Sequence, residues 1–263
     1  MFKSFYRRRA FAFSGPHGGI SSKLVLPEGF DVDKDKCPAV VLMHGFCAKK
    51  ERPPLPVIAK ALAKEGIASL LFDFDAHGAS EGNFIDMTIS SEIADAKAAA
   101  DYLNSLAFVD KVAFLGHSQG GVVAGMLAGQ LENSPLRPAC LVQLAPAAVL
   151  KDDAIAGQCM YARYNPADPP EYVSVLFHKL GRKFILEAQK LPIYETSAEY
   201  SGKVCIVHGM KDRVVPVTYS EKYKAAYRDC ELHLLEREGH MLNSDKKAIT
   251  DIVVPFLKER LLG

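Results

Sequence analysis

Short apolar runs alternate with amphipathic segments along most of the chain. The runs are four to eight residues long and apolar at consecutive positions, which is typical of strands buried on both faces of a sheet. They cover residues 39–43, 67–74, 112–115, 140–144, 204–207 and 232–235. Segments with helical spacing separate them, most clearly from Thr88 to Leu103, where one apolar face recurs. This alternation predicts an α/β fold with a mostly parallel twisted sheet and helices on both faces.

The two ends of the chain add a hairpin and a helix to this pattern. Residues 10–28 predict an opening hairpin around a Gly-Pro-His-Gly-Gly turn, and residues 245–262 predict a closing helix. Two further helices are predicted over residues 54–65 and 119–131. No apolar run follows Arg7–Arg9, so we expect a solvated strand edge there rather than a signal peptide or a binding patch.

One long segment, residues 147–201, interrupts the alternation. It contains no obvious sheet strand, and tyrosine, phenylalanine and proline residues are scattered through it. More than fifty residues are too many for a plain connection between neighbouring elements. We therefore expect residues 1–146 and 202–263 to form one core domain, and residues 147–201 to form a small inserted cap, partly helical, over the functional site.

Composition and charge narrow the partners of the chain. Its 263 residues include 32 Lys plus Arg and 31 Asp plus Glu, a net charge of +1 at pH 7. This balance gives no field that attracts a polyanion, so no nucleic-acid partner is expected. No stretch approaches the ~18 consecutive apolar residues of a membrane span, so no membrane partner is expected. The six cysteines show no C-x-x-C spacing, which predicts reduced thiols and a cytoplasmic location.

A Gly-His-Ser-Gln-Gly motif, residues 116–120, lies where a predicted strand meets a predicted helix. In this context G-x-S-x-G forms a tight turn that exposes a nucleophilic serine. Side chains two positions before and two positions after the serine would collide with the neighbouring strand and helix, which explains the two glycines. Ser118 is therefore the predicted nucleophile.

The hydroxyl of Ser118 needs a base to accept its proton, and the eight histidines of the chain are candidates. His240 is preferred because its loop follows the last predicted strand and can reach the top of the sheet. His208 is the nearest alternative, although its place at a strand end favours a packing or hydrogen-bonding role. His117 points away from the side chain of its neighbour Ser118, and His233 lies inside a strand.

An acid must hold the tautomer of the base and stabilise its charged form, and Asp212 is the predicted acid. Asp212 follows a predicted strand and precedes His240 by 28 residues, which leaves room for one helix and one strand. The order serine, aspartate, histidine is the order that the G-x-S-x-G fold requires. Asp152 and Asp153, just after the preceding strand, are the rival acids.

The loop after the strand at residues 39–43 is expected to stabilise the reaction's oxyanion. The backbone N–H groups of Phe46 and Gln119 are the expected donors, each worth about 2.7–4 kcal/mol in the transition state. His44 is expected to be a structural residue beneath this loop rather than a base. The side chain of Phe46 is expected to line the acyl pocket.

Asp73, Asp75 and His77 have the composition of a metal cluster. No second group of ligands accompanies them, so a hydrogen-bonded loop that braces the oxyanion strand is the preferred interpretation. The predicted reaction needs no cofactor, and no metal site is expected.

These motifs together carry a family resemblance. Over nearly its whole length the chain resembles the α/β-hydrolase superfamily and, within it, the bacterial feruloyl (cinnamoyl) esterases. The resemblance rests on residues 42–46, 73–82, 116–120, 144–147 and 191–195 and on the loops of Asp212 and His240. The tight turn at Ser118, residues 116–120, is called the elbow, and Ser118, Asp212 and His240 form the predicted triad. Both are general to the superfamily, whereas Leu-Ala-Pro-Ala at 144–147 and Leu-Pro-Ile-Tyr-Glu at 191–195 are more specific to this group.

The resemblance implies an α/β-hydrolase fold with a small cap over an aromatic acyl pocket. Asp153 matches an acidic cap residue that would meet the phenol of a hydroxycinnamate, while Phe46, Tyr161 and Phe184 would surround the ring. Two positions depart from the family pattern. Phe184 stands where a tyrosine would contact the phenol, and Met160 stands where a polar residue would help.

The function that the resemblance implies is hydrolysis of carboxylic esters through an acyl-serine intermediate. The preferred partner is a small aromatic ester, such as a hydroxycinnamate ester of the plant cell wall. A general short-chain carboxylesterase, an acylglycerol lipase, a thioesterase or a peptidase would use the same scaffold. A binding protein without activity is least favoured, because Ser118, Asp212 and His240 are all present.

Overall fold

A sheet of eight strands forms the centre of the computed structural model, which describes residues 9–263. The strands within these residues are β1 (Arg9–Gly15), β2 (Gly18–Val25), β3 (Cys37–Met43), β4 (Ala68–Phe72), β5 (Val109–His117), β6 (Cys140–Leu144), β7 (Gln158–Cys159), β8 (Ala162–Arg163), β9 (Tyr172–Val175), β10 (His178–Gly181), β11 (Lys203–Gly209) and β12 (Cys230–Leu235). The central sheet has the order β1-β2-β4-β3-β5-β6-β11-β12. β2 pairs antiparallel with β1 and with β4, and every pair from β4 to β12 is parallel. The predicted, mostly parallel sheet is confirmed.

The inner strands are buried because both of their faces are apolar. In β3 the side chains of Val41 and Met43 belong to the core on one face of the sheet, whereas Val40 and Leu42 belong to the core on the other. Each of them is 0% exposed, and burial of one such side chain is worth roughly 1.5–3 kcal/mol. The sequence therefore shows consecutive apolar residues here rather than an alternating pattern.

Helices cover both faces of the sheet, as the alternation predicts. Within the described residues they are α1 (Leu55–Lys64), α2 (Ile89–Ser105), α3 (Gln119–Gln130), α4 (Val149–Ile155), α5 (Arg182–Ala188), α6 (Ile193–Ala198), α7 (Thr218–Ala226) and α8 (Lys246–Leu262). α1 and α8 pack together on one face, and α2 and α3 pack on the other. None of these helices is both long and apolar enough to cross a membrane.

Helix α2 begins at a reciprocal cap that fixes its first turn. Thr88 Oγ1 accepts the N–H of Ser91 at 3.1 Å, and Ser91 Oγ accepts the N–H of Thr88 at 2.9 Å. The carboxylate of Glu187, on α5, accepts the next two N–H groups, from Ile89 at 2.9 Å and Ser90 at 3.1 Å. A negative charge is favourable at a helix N-terminus, so this contact ties the segment that contains α5 to the start of α2.

The segment predicted as a cap, residues 147–201, forms α4, α5, α6 and two small hairpins. β7 pairs with β8, and β9 pairs with β10, each as a separate two-stranded sheet. No strand of this segment joins the central sheet, which agrees with the absence of a predicted sheet strand. The division of the chain into a core domain and a cap stays a prediction.

The predicted opening hairpin forms, and the structure places it at the edge of the sheet. Gly15 pairs with Gly18 on either side of the turn at Pro16 and His17. Arg7 and Arg8, which belong to the predicted solvated edge, lie outside the described residues. All six cysteines are free thiols.

Candidate active site

Ser118 occupies a strained turn between the end of β5 and the start of α3. Its backbone has φ 57° and ψ −122°, a left-handed conformation that is costly for a serine. A Cβ at Gly116 would lie 1.9 Å from the carbonyl oxygen of Gly120, and a Cβ at Gly120 would lie 2.4 Å from that of His44. The two glycines of the motif are therefore required by the close approach of backbone to backbone.

The structure brings the side chains of Ser118, His240 and Asp212 into one hydrogen-bonded row. Ser118 Oγ lies 2.9 Å from His240 Nε2, and His240 Nδ1 lies 2.7 Å from Asp212 Oδ2. His240 comes from the loop between β12 and α8, and Asp212 from the loop after β11. Parallel strands end at the same edge of the sheet, which is why these loops meet the elbow. The arrangement can move a proton from the serine to the imidazole while the carboxylate stabilises the charged ring.

Asp212 is held by four donors. Oδ1 accepts the N–H groups of Val214 at 2.8 Å and Val215 at 2.9 Å. Oδ2 accepts from His240 and lies 3.0 Å from His208 Nε2. Burial by itself would raise the pKa of Asp212, but the hydrogen bonds from His208 and His240 hold that pKa well below its usual range. Asp212 is therefore ionised over the ordinary pH range.

His208 lies beside Asp212, and the sequence does not define its role. A hydrogen-bonding role is predicted for it, but nothing in the sequence names its partner. Its Nε2 lies 3.0 Å from both Asp212 Oδ2 and the carbonyl oxygen of Val215, so Nε2 carries the proton. Its Nδ1 lies 2.6 Å from Ser220 Oγ, which donates to it. His208 is thus a fully buried donor behind Asp212.

The rival residues lie elsewhere. The carboxylate of Asp152 accepts from Tyr219 Oη at 2.6 Å, and that of Asp153 accepts from Gln158 Nε2 at 2.6 Å. His117 is buried, and its Nε2 donates to the carbonyl oxygen of His240 at 2.8 Å. Burial lowers the pKa of His117 to about 4, and His240 adds to this shift. His117 thus supports the backbone of the loop that carries His240.

Two amides beside Ser118 are free to stabilise an oxyanion. Among residues 9–263, neither the N–H of Phe46 nor that of Gln119 donates a hydrogen bond. The loop of Phe46 packs directly on Ser118, because a Cβ at Gly45 would lie 2.8 Å from Ser118 Cβ. The assignment of both amides as oxyanion donors stays a prediction, and the geometry is compatible with it.

Two buried side chains brace this loop from beneath. The N–H of Phe74 donates to His44 Nε2 at 3.1 Å, so the ring proton is on Nδ1 and is donated to Gly45 O at 2.8 Å. Burial lowers the pKa of His44 to about 3, so this ring is neutral. Asp73 accepts the backbone N–H of Lys50 at 2.7 Å and also pairs with the Lys50 ammonium group. His44 has the structural position expected for it.

Asp73, Asp75 and His77, the trio with the composition of a metal cluster, lie in the loop after β4, beside the oxyanion loop. Among residues 9–263, one group of three donors has metal-binding spacing, namely Cys205, Glu231 and His233, whose donor atoms lie within 4.8 Å of one another. That group lies on β11 and β12, away from the strand ends where Ser118 lies.

The residues predicted to bind substrate are only partly brought together. The ring of Phe46 packs 6.1 Å from that of Phe184, which is buried, and 5.7 Å from that of Phe84. Tyr161 is 87% exposed and makes no ring contact within the described residues. Asp153 is half-buried beside Gln158.

A further buried residue touches the elbow and is not among the predicted site residues. Glu92 is 1% exposed, and its Oε2 accepts a hydrogen bond from Gln119 Nε2 at 2.8 Å. One sequence signal could have identified it: Glu92 follows Ile89 by three residues and precedes Ala96 by four, so it shares their apolar helix face.

Comparisons with known proteins agree with this fold. The profile of the Hydrolase_4 family, described as serine aminopeptidase S33, matches residues 34–167. The uncharacterized protein Rv2307c of Mycobacterium tuberculosis is 29% identical over 191 residues, which cover 72% of this chain and 57% of that protein. The match therefore spans less than two thirds of its relative.

Solved structures extend the likeness to nearly the whole chain. Est1E from Butyrivibrio proteoclasticus, solved with ferulic acid bound, has a TM-score of 0.89 and 26% identity over 95% of this chain and 99% of its own. The α/β hydrolase GrgF from Penicillium sp. sh18 has a TM-score of 0.76 and 18% identity over 97% and 99% of the two chains, and shows the fold alone. The chain belongs to the serine aminopeptidase S33 family, Hydrolase_4, has an α/β-hydrolase fold, and is similar in structure to Est1E, which was solved with ferulic acid bound.

Proposed function

We propose that the chain hydrolyses carboxylic esters with Ser118 as nucleophile, His240 as general base and Asp212 as its orienting acid. The observation that carries the proposal is the unbroken row of hydrogen bonds from Ser118 Oγ through His240 to Asp212. His240 Nε2 takes the hydroxyl proton while Ser118 Oγ bonds to the ester carbonyl carbon. The imidazolium then returns the proton to the departing alcohol, and the acyl group stays on the serine.

Water completes the proposed cycle. His240 accepts a proton from a water molecule, whose oxygen attacks the acyl-serine carbonyl, and the proton returns to Ser118 Oγ as the acid leaves. In both halves the carbonyl oxygen gains negative charge. The N–H groups of Phe46 and Gln119 would bind that oxygen, since they have no acceptor among residues 9–263.

The finer proposal is that the preferred substrates are esters of hydroxycinnamic acids. The structural likeness to Est1E, which was solved with ferulic acid, supports this choice. The rings of Phe46, Phe84 and Phe184 form an apolar cluster at the oxyanion loop that suits an aromatic acyl group. Cap residues would then supply a polar end for the phenol.

Asp153 is the proposed acceptor for the phenolic hydroxyl. Its carboxylate is paired with Gln158 Nε2, and the backbone oxygen of Gln158 accepts from Tyr164 Oη at 3.1 Å. Asp153, Gln158 and Tyr164 thus provide polar atoms in residues 147–201. Met160 and Phe184, at the two positions that depart from the family pattern, provide no hydrogen-bonding side chain. Since a buried phenol without a partner is costly, the Asp153 carboxylate would favour hydroxylated over unsubstituted cinnamates.

A substrate panel tests both levels of the proposal. The panel contains methyl ferulate, methyl cinnamate, p-nitrophenyl butyrate, a long-chain glyceride and an aminoacyl p-nitroanilide, each with wild-type protein and Ser118→Ala. We expect ester hydrolysis that Ser118→Ala lowers by about 10⁴-fold or more while the melting temperature is kept. Ser118→Ala with more than a hundredth of the wild-type rate would exclude Ser118 as nucleophile.

The finer level has its own outcome in the same panel. The highest kcat/KM should belong to methyl ferulate, and Asp153→Ala should lower it more for ferulate than for cinnamate. If kcat/KM is higher for butyrate or the glyceride than for methyl ferulate, the protein is a general esterase and the feruloyl proposal is wrong. If kcat/KM is highest for the anilide, the protein is a peptidase.

A further inference from the structure

A carboxyl group lies behind the elbow of Ser118, on the side of helix α2. Glu92 is 1% exposed and lies on the apolar face of that helix. The charged and titratable groups that act most strongly on it include no cation. Because a buried carboxyl group without a cationic partner is costly, its position calls for an explanation other than an ion pair.

Gln119 connects Glu92 to the expected oxyanion site. Gln119 is 3% exposed and is the first residue of α3, directly after Ser118. Its side-chain Nε2 donates to Glu92 Oε2 at 2.8 Å, while its backbone N–H has no acceptor within the described residues. The residue is therefore anchored at both ends, by the helix and by Glu92. Its side chain cannot rotate without leaving a buried amide donor unpaired, which is unfavourable.

We propose that Glu92 is a positioning residue that holds the backbone N–H of Gln119 toward the oxyanion, through the hydrogen bond between the two side chains. This role rests on the proposed ester hydrolysis, because only a developing negative charge makes the direction of that N–H matter. The strained turn at Ser118 makes such an anchor useful. The backbone at Ser118 is strained, with φ at 57°, and the carbonyl group of the peptide between Ser118 and Gln119 accepts the N–H groups of Gly121 at 2.9 Å and Ala147 at 3.1 Å. The Gln119 side chain adds an anchor on the N–H side of that peptide.

Glu92 would act as an uncharged acid. Burial raises the pKa of Glu92 well above its usual range, and the carboxyl groups of Asp95, Glu187 and Asp75 add to the shift, while the Gln119 amide opposes it. These groups come from α2 itself, from α5 and from the loop after β4. An uncharged group adds no repulsion to an oxyanion, whereas a carboxylate at this place would oppose it.

On the oxyanion loop, the titratable group that interacts with Glu92 is the thiol of Cys47, which is neutral. Burial raises the pKa of the Cys47 thiol to about 12, and Cys159 and Glu92 add to that shift. Cys47 therefore adds no charge that competes with Gln119 for Glu92.

The test compares kcat and KM of p-nitrophenyl ester hydrolysis in matched variants. Glu92→Ala removes the acceptor and should lower kcat by about 10–100-fold, with KM within about twofold, because a misplaced donor acts on the transition state. Glu92→Gln keeps an uncharged acceptor and should restore kcat to within about threefold of wild type. An equal loss in both variants, or no loss in Glu92→Ala, would overturn the proposal.

A second variant reaches the same contact from the other side. Gln119→Ala keeps its backbone N–H but loses the side-chain amide, so its kcat should fall as much as that of Glu92→Ala. The double variant should lose little more than either single variant, because both remove one interaction. Additive losses would show two independent effects and would contradict the proposal, even where Glu92→Ala alone folds poorly.

Asp95→Ala is the structural control. Asp95 is buried on the same helix and accepts the N–H of Asp75 at 2.8 Å, without touching Gln119. Its variant should lower the melting temperature and leave kcat unchanged, and a matching fall in kcat would reduce Glu92 to a general stabilising role. A wild-type protein without esterase activity would remove the proposed function itself. Activity that depends on Ser118 but not on Glu92 would remove this role alone.

Discussion

Asp212 and Glu92 are both buried carboxyl groups next to the elbow of Ser118, yet their surroundings drive them toward opposite charge states. Asp212 accepts two backbone N–H groups and faces two imidazole nitrogens. Glu92 accepts a hydrogen bond from one neutral amide, and the charged groups that raise its pKa are all carboxyl groups. The pKa of Asp212 is accordingly held low, despite burial, and that of Glu92 is raised by burial.

This difference shows that burial alone does not decide what a carboxyl group does. The number of N–H donors around the carboxyl group determines its charge state, because each donor favours the charged form. An ionised acid can stabilise a charged imidazole, whereas an uncharged acid can hold an amide without adding a negative charge to the site. The same isosteric change, acid to amide, should therefore have different consequences at the two positions.

The largest effect is expected for Asp212→Asn. The amide oxygen can still accept the N–H groups of Val214 and Val215, but the amide nitrogen then faces His240 Nδ1. That contact favours the tautomer with the proton on Nε2, which cannot accept the proton of Ser118. We expect kcat/KM to fall by about 10⁴-fold with a much smaller change in melting temperature.

The matched measurement for this comparison is Glu92→Gln, in which kcat should stay within about threefold of wild type. Equal losses in Asp212→Asn and Glu92→Gln would remove the contrast between a charged and an uncharged acid.

An intermediate effect is expected for His208→Ala. The variant removes one of the imidazole donors to Asp212, so the pKa of Asp212 should rise and kcat/KM should fall by roughly tenfold, more at acidic than at neutral pH. It also leaves Val215 O and Ser220 Oγ without their partner, which should cost about 1–3 kcal/mol of stability.

The check is a pH profile of kcat/KM together with urea unfolding of the same variant. His233→Ala is the control, since His233 is partly exposed on β12 and bonds only to Glu231 among the described residues. A pH profile of His208→Ala that matches wild type would mean that His208 contributes packing and no charge stabilisation.

Much of the fold could be predicted because strands buried on both faces are written as apolar runs. β6 begins and ends where the pattern of residues 140–144 places it, and α8 begins beside Asp245, which caps it. α7 was not specifically predicted, because only Ser220 and Tyr223 of its residues are buried, too few for an apolar stripe.

The candidate site also contains residues that the sequence predicts and contacts that it does not predict. Ser118 is predictable because its motif needs glycines for local steric reasons, and strand ends place the loops of Asp212 and His240. The hydrogen bond between Glu92 and Gln119 joins residues 27 positions apart on two helices, and that of His208 depends on how the loop after β11 turns back. Such contacts depend on tertiary packing, which short-range periodicity does not encode.

The smallest effect on the reaction is expected at Asp95, the buried neighbour of Glu92. Burial raises the pKa of Asp95 to about 7, and the carboxyl group of Asp75 adds to the shift. An aspartate of the unfolded chain ionises near pH 3.9. Between about pH 4 and 7 the folded protein keeps a proton that the unfolded chain has lost, so this group makes stability fall as the pH rises through that window. Asp95→Asn cannot ionise and keeps an oxygen for the N–H of Asp75.

The free energy of unfolding of Asp95→Asn, relative to that of wild type, should therefore increase between pH 4.5 and pH 7.5. Since one pKa unit corresponds to about 1.4 kcal/mol, the increase should be a few kcal/mol at most. Urea unfolding at the two pH values measures this gain, and kcat should not change. Asp101→Asn, an exposed site on the same helix, should show almost the same difference from wild type at both pH values. A gain at Asp95 that does not depend on pH would mean that its carboxyl group is ionised in the folded protein. Asp95 would then carry a negative charge near Glu92 on α2, and that charge would favour the uncharged form of Glu92 further.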